Sequence, residues 1–259
     1  MGVLNVTPDS FSDGGQFVSV DSAIQQSQNM VAAGAAIIDV GGESTRPGAK
    51  AVSVEEEHKR VIPVIKHIQK ETPDTIISID SSKPEIMAEA IAAGAHFVND
   101  VNALRTPGAL DVIAGSNAAI CLMHMQGEPR TMQKDPHYND VVEEVLSFLR
   151  QRIELCVKAG IDKNRIIVDP GFGFGKSLQH NLLLLKHLQR FKELGAALLV
   201  GMSRKSMIGA ILDKPVEDRL AGSLSLATLA AWMGADILRV HDVAATSDAL
   251  KTVNAVRSV

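Results

Sequence analysis

Eight short, nearly continuous apolar runs recur along the 259 residues, and a stretch with helical periodicity follows each of them. Such runs are typical of parallel strands that helices cover. Glycine, the usual cap of a helix C-terminus, stands at five helix-to-strand junctions, at Gly34, Gly94, Gly160, Gly195 and Gly234. The runs are GVLNV (2–6), AAIIDV (35–40), TIISID (75–80), AHFVND (95–100), AAICLM (118–123), RIIVD (165–169), AALLVG (196–201) and ADILRV (235–240). Eight strand–helix units predict an α/β fold, a (β/α)8 TIM barrel in one domain over residues 1–259, with a doubly wound open sheet as the alternative.

Composition argues against several classes of partner. A formal charge of -4 and 3% aromatic residues do not favour a nucleic-acid surface. No apolar run is long enough to span a membrane, and no signal peptide is evident. Cys121 and Cys156 lie in an apolar run and a helical pattern, which does not suggest a disulfide framework. We therefore expect a cytoplasmic protein that binds neither nucleic acid nor membrane.

Polar residues follow the apolar runs at the point where each predicted strand ends. In a barrel these ends meet on one face, where active sites are found. A carboxylate at an apolar strand end is costly unless a ligand, cation or donor satisfies it, so we expect a shared pocket. The residues are Asn5, Asp39, Asp80, Asn99, His124, Asp169, 203–205, Arg239 and His241.

The acceptors at three strand ends suit a flat heterocycle. Asp80, Asp169 and Asn99 together match a ring rich in N–H donors, such as an aminopyrimidinone. Each aspartate alone could instead accept hydrogen bonds from loop amides. His124 is interpreted as a hydrogen-bonded rim residue, because no second histidine has zinc-ligand spacing.

The stretch DPGFGFGKS (169–177) resembles a nucleotide-binding loop only superficially. Pro170 stands where a phosphate-binding loop requires its first glycine, and Lys176 breaks the dinucleotide fingerprint. Three glycines would instead let the backbone approach a planar ligand closely, with Phe174 beside the ring.

Cationic residues follow the last two runs. Arg204 and Lys205 precede a predicted helix start, where Ser206 adds a hydroxyl, and Arg239 and His241 are two residues apart. Positive groups beside a helix N-terminus suggest a phosphate or diphosphate. Most lysines and arginines are simply solvated, which is a weak explanation for Arg239 inside an apolar run.

The loops after the first two runs also carry polar candidates. Asn5, Asp9 and Asp13 in NVTPDSFSDGG offer the oxygen ligands that Mg²⁺ takes beside substrate phosphates, although the aspartates also suit Asx turns. Arg46 in GGESTRPG adds a guanidinium to the second loop.

Seven segments together resemble dihydropteroate synthase, a bacterial folate-pathway family and sulfonamide target. They are LNVTPDSFSDGG, IIDVGGESTRPG, VND, CLMHMQG, DPGFGFGK, GMSRKSMIG and RVHDV, and they run from the first strand to the last. The resemblance implies a (β/α)8 barrel, a homodimer and a transferase. That transferase joins 6-hydroxymethyl-7,8-dihydropterin diphosphate to p-aminobenzoate and releases diphosphate.

The resemblance also implies roles at matching positions. Asp80, Asn99, Asp169 and Lys205 would hold the pterin. Asn5, Arg239 and His241 would bind the diphosphate, with Asn5 and Asp13 near Mg²⁺. The remaining substrate-binding set, of which Ser206 would meet the p-aminobenzoate carboxylate, is Phe11, Thr45, Arg46, Pro47, Met123, Phe174 and Ser206. The implied catalytic set is Asp80, Asp169, Lys205, Arg239 and His241.

Two other classes remain as alternatives. Pterin-binding methyltransferase barrels use similar Asp and Asn positions but do not need the pairs Lys205–Ser206 and Arg239–His241. A non-catalytic pterin-binding module would keep Asp169 yet lose the first-loop acceptors. One departure from the family is that Met1 lies almost at the first strand, where members usually carry a short segment. The resemblance therefore implies a chain trimmed there or read from a late start.

Overall fold

A parallel eight-stranded sheet forms the centre of the protein, in a computed structural model that describes residues 1–6, 16–44, 51–128 and 131–259. The strands are hydrogen-bonded in chain order. They are β1 (Gly2–Asn5), β2 (Ile37–Gly41), β3 (Ile76–Asp80), β4 (Phe97–Asp100), β5 (Ala119–Met123), β6 (Ile166–Asp169), β7 (Ala197–Val200) and β8 (Ile237–Leu238). A parallel bridge between Gly2 and Val240 joins β1 to the chain just after β8, and Val3 N donates to Val240 O at 3.0 Å. The sheet therefore closes, as the barrel prediction requires and an open sheet would not.

Helices follow the strands around the outside of the barrel. They are α1 (Gln16–Ala32), α2 (Val54–Glu71), α3 (Pro84–Ala92), α4 (Ala109–Ala114), α5 (Val141–Lys158), α6 (Leu178–Lys186), α7 (Ser206–Leu212), α8 (Leu220–Trp232) and α9 (Val243–Arg257). Two helices, α7 and α8, connect β7 to β8. The five predicted junction glycines all have positive φ, between 63° and 112°, which confirms their position at helix ends.

The side-chain alternation of the strands separates two apolar layers. Phe97, Cys121, Ile167 and Leu199 form a cluster inside the barrel, whereas the larger cluster lies between the sheet and the helices. Because successive strand residues point to opposite faces, the residues two positions further along point inward again, nearer the carboxyl ends. Those residues are Asn99, Met123, Asp169 and Gly201. The sequence thus places a polar mouth directly above an apolar floor.

Both cysteines, Cys121 and Cys156, are buried and free. Within the described parts of the chain, none of the helices combines the length and the apolar character needed to cross a bilayer.

Candidate active site

Three charged side chains form an ion-pair network in the barrel mouth. Arg239 donates from Nε to Asp39 Oδ2 and from Nη2 to Asp80 Oδ2, each at 2.6 Å. Asp39 is fully enclosed, while Arg239 and Asp80 keep 21% and 12% of their side chains exposed. The guanidinium therefore joins the end of β8 to β2 and β3, which are not neighbours of β8 in the sheet.

Asp39 is the centre of this network. Its Oδ1 accepts from Ser78 Oγ at 2.6 Å, and its Oδ2 accepts from Asn99 Nδ2 at 3.1 Å as well as from Arg239. The sequence predicts Asp39 as a polar residue at a strand end, but it does not predict a role for this carboxylate. The available signal was a carboxylate inside the run AAIIDV, yet the run does not reveal which cation reaches it.

Burial and charge act in opposite directions on this network. Burial raises the pKa of the Asp80 carboxyl to about 7, although Arg239 acts to lower it. Burial acts to lower the pKa of Arg239, but Asp39 and Asp80 outweigh it and raise that pKa above its ordinary value. The guanidinium therefore stays charged.

A second group of polar side chains lies at the ends of β6 and β7. Asp169 is buried and its Oδ1 accepts from Gly171 N at 2.7 Å. Burial raises the pKa of Asp169, and Lys205 opposes that rise more than any other neighbour. Lys205 Nζ donates to Phe172 O at 2.5 Å and lies 4.7 Å from the centre of the Phe174 ring. Burial lowers the pKa of Lys205 to about 8, although Asp169 acts to raise it.

The two groups act on each other electrostatically. Arg239 helps to lower the pKa of Asp169, and Asp80 helps to raise the pKa of Lys205. The predicted set Asp80, Asn99, Asp169, Lys205 and Arg239 is therefore brought together at one end of the barrel. Two carboxylates, an amide and two cations can bind both N–H groups and anions there.

An apolar wall adjoins the Asp169 side of the mouth. Met123 pairs in register with Asp169 and is buried in a cluster with Val101, Met125 and Met132, against which Phe174 packs. The structure therefore places Met123 and Phe174 beside the carboxylate, where an apolar surface could face a flat ligand.

The glycines of the glycine-rich loop, residues 170–176, were predicted to let the backbone approach a planar ligand, but two of them instead lie against another loop of the protein. Gly171, Gly173 and Gly175 all have positive φ. A Cβ on Gly171 would lie 1.9 Å from His124 O, and one on Gly175 would lie 2.4 Å from Gln126 O. These two glycines permit close packing against the loop that follows β5. Gly173 faces Lys205, with Lys205 Cδ at 3.2 Å from its Cβ position, and the Cβ position of Gly171 is also 3.3 Å from Met123 Cγ.

Lys176 and His124 form a buried pair below this loop. Lys176 is only 3% exposed, and its Nζ lies 3.0 Å from His124 Nδ1. Burial lowers the pKa of Lys176 to about 7, although Asp169 acts to raise it. Burial also lowers the pKa of His124 to about 2, and Lys176 adds to that effect, so the imidazole is neutral and its Nδ1 can accept from Lys176 Nζ. His124 is thus hydrogen-bonded, as expected, but it is buried rather than at the rim. No sequence signal separated Lys176 from an ordinary solvated lysine.

The cations after β7 and β8 have different surroundings. Arg204, expected beside an anion, instead donates from Nε and Nη2 to the two carboxylate oxygens of Asp242, at 2.9 and 2.5 Å. Its ion pair with α9's N-cap residue removes it from the predicted anion site. His241 Nδ1 lies 3.2 Å from Ser203 Oγ, and Ser206 is exposed at the start of α7.

Of the residues predicted to contribute from the first loop, Asn5 lies in the described part of the chain. A Cβ on Gly41 would lie 3.7 Å from Asn5 Oδ1 and 3.8 Å from Asp80 Oδ2, so both oxygens flank the mouth. Oxygen donors of this kind suit Mg²⁺. Among the described residues, no group of three or more His, Cys, Asp or Glu could hold a metal. The other predictions from these loops lie outside the described residues, namely Asp9, Phe11, Asp13, Thr45, Arg46 and Pro47.

Comparison with known proteins identifies the family of this chain. The family described as pterin binding enzyme matches residues 1–241. The dihydropteroate synthase of Haemophilus influenzae is 54% identical over 251 residues, covering 97% of this chain and 91% of that protein. The chain belongs to the dihydropteroate synthase family.

Solved structures of dihydropteroate synthases share the fold closely. The Yersinia pestis enzyme in a sulfonamide drug complex has a TM-score of 0.95 at 50% identity, covering 100% of this chain and 94% of that one. The Xanthomonas albilineans enzyme in complex with 7,8-dihydropteroate has a TM-score of 0.91 at 49% identity, covering 100% and 93%. The predicted family, barrel fold and synthase activity are confirmed, and the methyltransferase alternative is not favoured.

Proposed function

We propose that the barrel mouth joins 6-hydroxymethyl-7,8-dihydropterin diphosphate to p-aminobenzoate, with a named role for each residue of the site. The observation that carries the assignment is the convergence of Asp80, Asn99, Asp169 and Lys205 at one end of the barrel. Carboxylate and amide oxygens accept the N–H groups of the pterin edge. Lys205 donates to acceptor atoms of the same ring, and Met123 packs against its face.

The diphosphate lies on the Arg239 and Asn5 side of the mouth in this proposal. Asn5 and His241 bind its oxygens, and Arg239 supplies positive charge. Asn5 and Asp13 hold Mg²⁺, which neutralises charge on the diphosphate when bound. Support from the structure is the position of Asn5 Oδ1 beside Asp80 at the mouth.

The p-aminobenzoate site adjoins the start of α7. Ser206 is exposed there and donates its hydroxyl to the carboxylate of p-aminobenzoate, while Phe174 packs against the ring. The proposal also assigns binding of p-aminobenzoate to Phe11, Thr45, Arg46 and Pro47, which lie outside the described residues. A sulfonamide drug competes for the same place, consistent with the sulfonamide complex of the Yersinia pestis relative.

The reaction is a substitution at the exocyclic CH2 of the pterin. The C–O bond breaks and its electron pair leaves with the diphosphate, while the aromatic amine forms a C–N bond and then loses a proton to water. Asp80 and Asp169 stabilise positive charge that develops on the pterin as the C–O bond breaks, and Arg239 stabilises the departing anion. An aromatic amine is already a free nucleophile at neutral pH, so no strong base is required.

Assembly and location complete the proposal. We infer a homodimer in which two copies meet through the exposed apolar face of α7, α8 and α9. The large apolar side chains exposed on these helices are Ile211, Leu212, Leu220, Leu229, Trp232 and Val256. Exposed apolar patches of this kind mark protein–protein contacts. The two free, buried cysteines support a reducing, cytoplasmic location.

Diphosphate release with the pterin diphosphate and Mg²⁺, with and without p-aminobenzoate, tests this function. We expect release that depends on p-aminobenzoate and that collapses in Asp169→Asn, since a neutral amide cannot stabilise the developing positive charge. Absence of release from the wild type, together with binding of methyltetrahydrofolate, would move the assignment to the methyl-transfer barrels.

A further inference from the structure

Every carbonyl of residues 171–175 accepts a hydrogen bond from a side chain. Phe172 O accepts from Lys205 Nζ, Gly173 O from Gln133 Nε2, and Gly175 O from Tyr138 Oη. The other two, at positions 171 and 174, both accept from Lys176 Nζ, at 2.9 and 3.0 Å. This segment makes no helix or strand, so side chains rather than a backbone ladder determine its shape.

Lys176 is the one member of this set that binds two loop carbonyls and also reaches a second loop. Its Nζ lies 3.0 Å from His124 Nδ1 and 3.3 Å from His124 O, beyond the end of β5. Lys176 O in turn accepts from Asn181 Nδ2 at 3.3 Å, and Asn181 Oδ1 accepts from Gly173 N at 2.8 Å. The buried amino group of Lys176 therefore connects the glycine-rich loop to the β5 loop, while the backbone of the same loop is bound to Asn181 of α6.

The residues that Lys176 holds lie next to the proposed ligand-binding atoms. Gly171 N donates to Asp169, and the ring of Phe174 lies beside Lys205. A change in the loop conformation would therefore move Gly171 N, which donates to the Asp169 carboxylate. It would also move Phe172 O, which accepts from Lys205 Nζ.

We propose that Lys176 is a positioning residue, whose buried amino group holds the glycine-rich loop against His124 and so fixes Asp169 and Lys205 for binding of the pterin. It does not touch the substrate. The proposal rests on the assignment of this mouth as the pterin site. Without this amino group, the carbonyl oxygens of residues 124, 171 and 174 and the Nδ1 of His124 would lose the donors that they share, in a place that water does not reach, and the loop would rearrange to hydrate them.

Lys176→Met tests the role, because methionine is similar in length and supplies no donor. We expect the affinity for the pterin diphosphate, measured by calorimetry without p-aminobenzoate, to fall about tenfold or more. Amide hydrogen exchange of residues 171–175 should also become faster, with unchanged exchange in the barrel strands. Lys186→Met is the matched control, since that lysine is exposed at the end of α6, and we expect wild-type behaviour from it.

His124 provides a second pair of variants that does not alter Lys176. Asparagine can place an oxygen near the Nδ1 position, whereas leucine cannot accept, so His124→Leu should loosen the loop and His124→Asn should largely restore it. Should Lys176→Met fail to fold, this pair decides the question in the same two assays. Equal affinity and equal loop exchange in wild type and in these variants would overturn the proposal.

The exchange measurement needs no ligand, so it separates this inference from the proposed function. A wild type that binds no pterin diphosphate would refute the function, while faster loop exchange in Lys176→Met would still support the positioning role.

Discussion

At the scale of single residues, Asp39 shows how the site depends on one enclosed charge. It accepts from Ser78, Asn99 and Arg239 at once, and it has no contact with solvent. Removing one partner of such a network leaves the others without a satisfied hydrogen bond, which costs more than the pair itself contributes.

We expect Asp39→Asn to lower the free energy of unfolding by about 2–3 kcal/mol, because the amide keeps the shape but loses the charge opposite Arg239. Urea denaturation followed by circular dichroism measures the change. Asp236→Asn is the control, since the Asp236–Lys192 pair is 42% exposed on both sides and should contribute less than about 1 kcal/mol. Equal losses in the two variants would contradict the central position of Asp39.

The lowered pKa of Lys205 leads us to expect that kcat/KM depends on pH. Burial lowers its pKa to about 8, so the ammonium is present below that pH and is lost as the pH rises through it. We therefore expect kcat/KM for the pterin diphosphate to fall above about pH 8. In Lys205→Arg the guanidinium stays charged, so the fall should move to higher pH. A basic limb at the same pH in both proteins would show that another group titrates there.

At the scale of elements, the glycine-rich loop shows that a sequence motif can predict the backbone conformation of a loop but not the residues against which the loop packs. The glycines correctly indicated unusual backbone at the end of β6, but the sequence could not show that Gly171 and Gly175 pack against carbonyls of the β5 loop. That packing joins residues about 50 positions apart, and no local pattern reports on it. The partnership of Arg204 with Asp242 was hidden for the same reason.

Two alanine substitutions in this loop should therefore differ. Gly173→Ala meets only the flexible Lys205 side chain, so we expect a loss of about 1–2 kcal/mol from its positive φ. Gly171→Ala carries similar backbone strain and also places Cβ against His124 O, so it should cost at least about 2 kcal/mol more. Thermal and urea unfolding of both variants measures the difference. Similar stabilities would mean that the β5 loop moves aside easily.

At the scale of the whole molecule, closure of the barrel brings the ends of all eight strands to one face. The structure contains the predicted strands, with polar residues at their ends and glycines at the predicted junctions. These features could be predicted because strand and helix periods are local properties of the chain. That residues 1–259 form a single domain remains a prediction.

The proposed homodimer gives a prediction at this scale. We expect Leu229→Asp to shift the protein toward monomers in sedimentation velocity, because a carboxylate would be buried without a partner at the contact. Leu155→Asp on α5 is the control, since its exposure of 46% matches the 45% of Leu229 while it lies outside the proposed face. A wild type that sediments as a monomer at every concentration would refute the dimer.

The barrel, the family and a set of candidate residues at the mouth could all be predicted from the sequence. Apolar runs, junction glycines and polar strand ends all follow from local periodicity and from the chemistry of each side chain. The partners of the buried polar groups are visible in the three-dimensional structure alone. Arg239 binds Asp39 and Asp80, Arg204 binds Asp242, and Lys176 lies against His124. The physical reason is that the energy of a buried charge depends on its neighbours in space, and barrel closure sets those neighbours across distances that no sequence pattern spans.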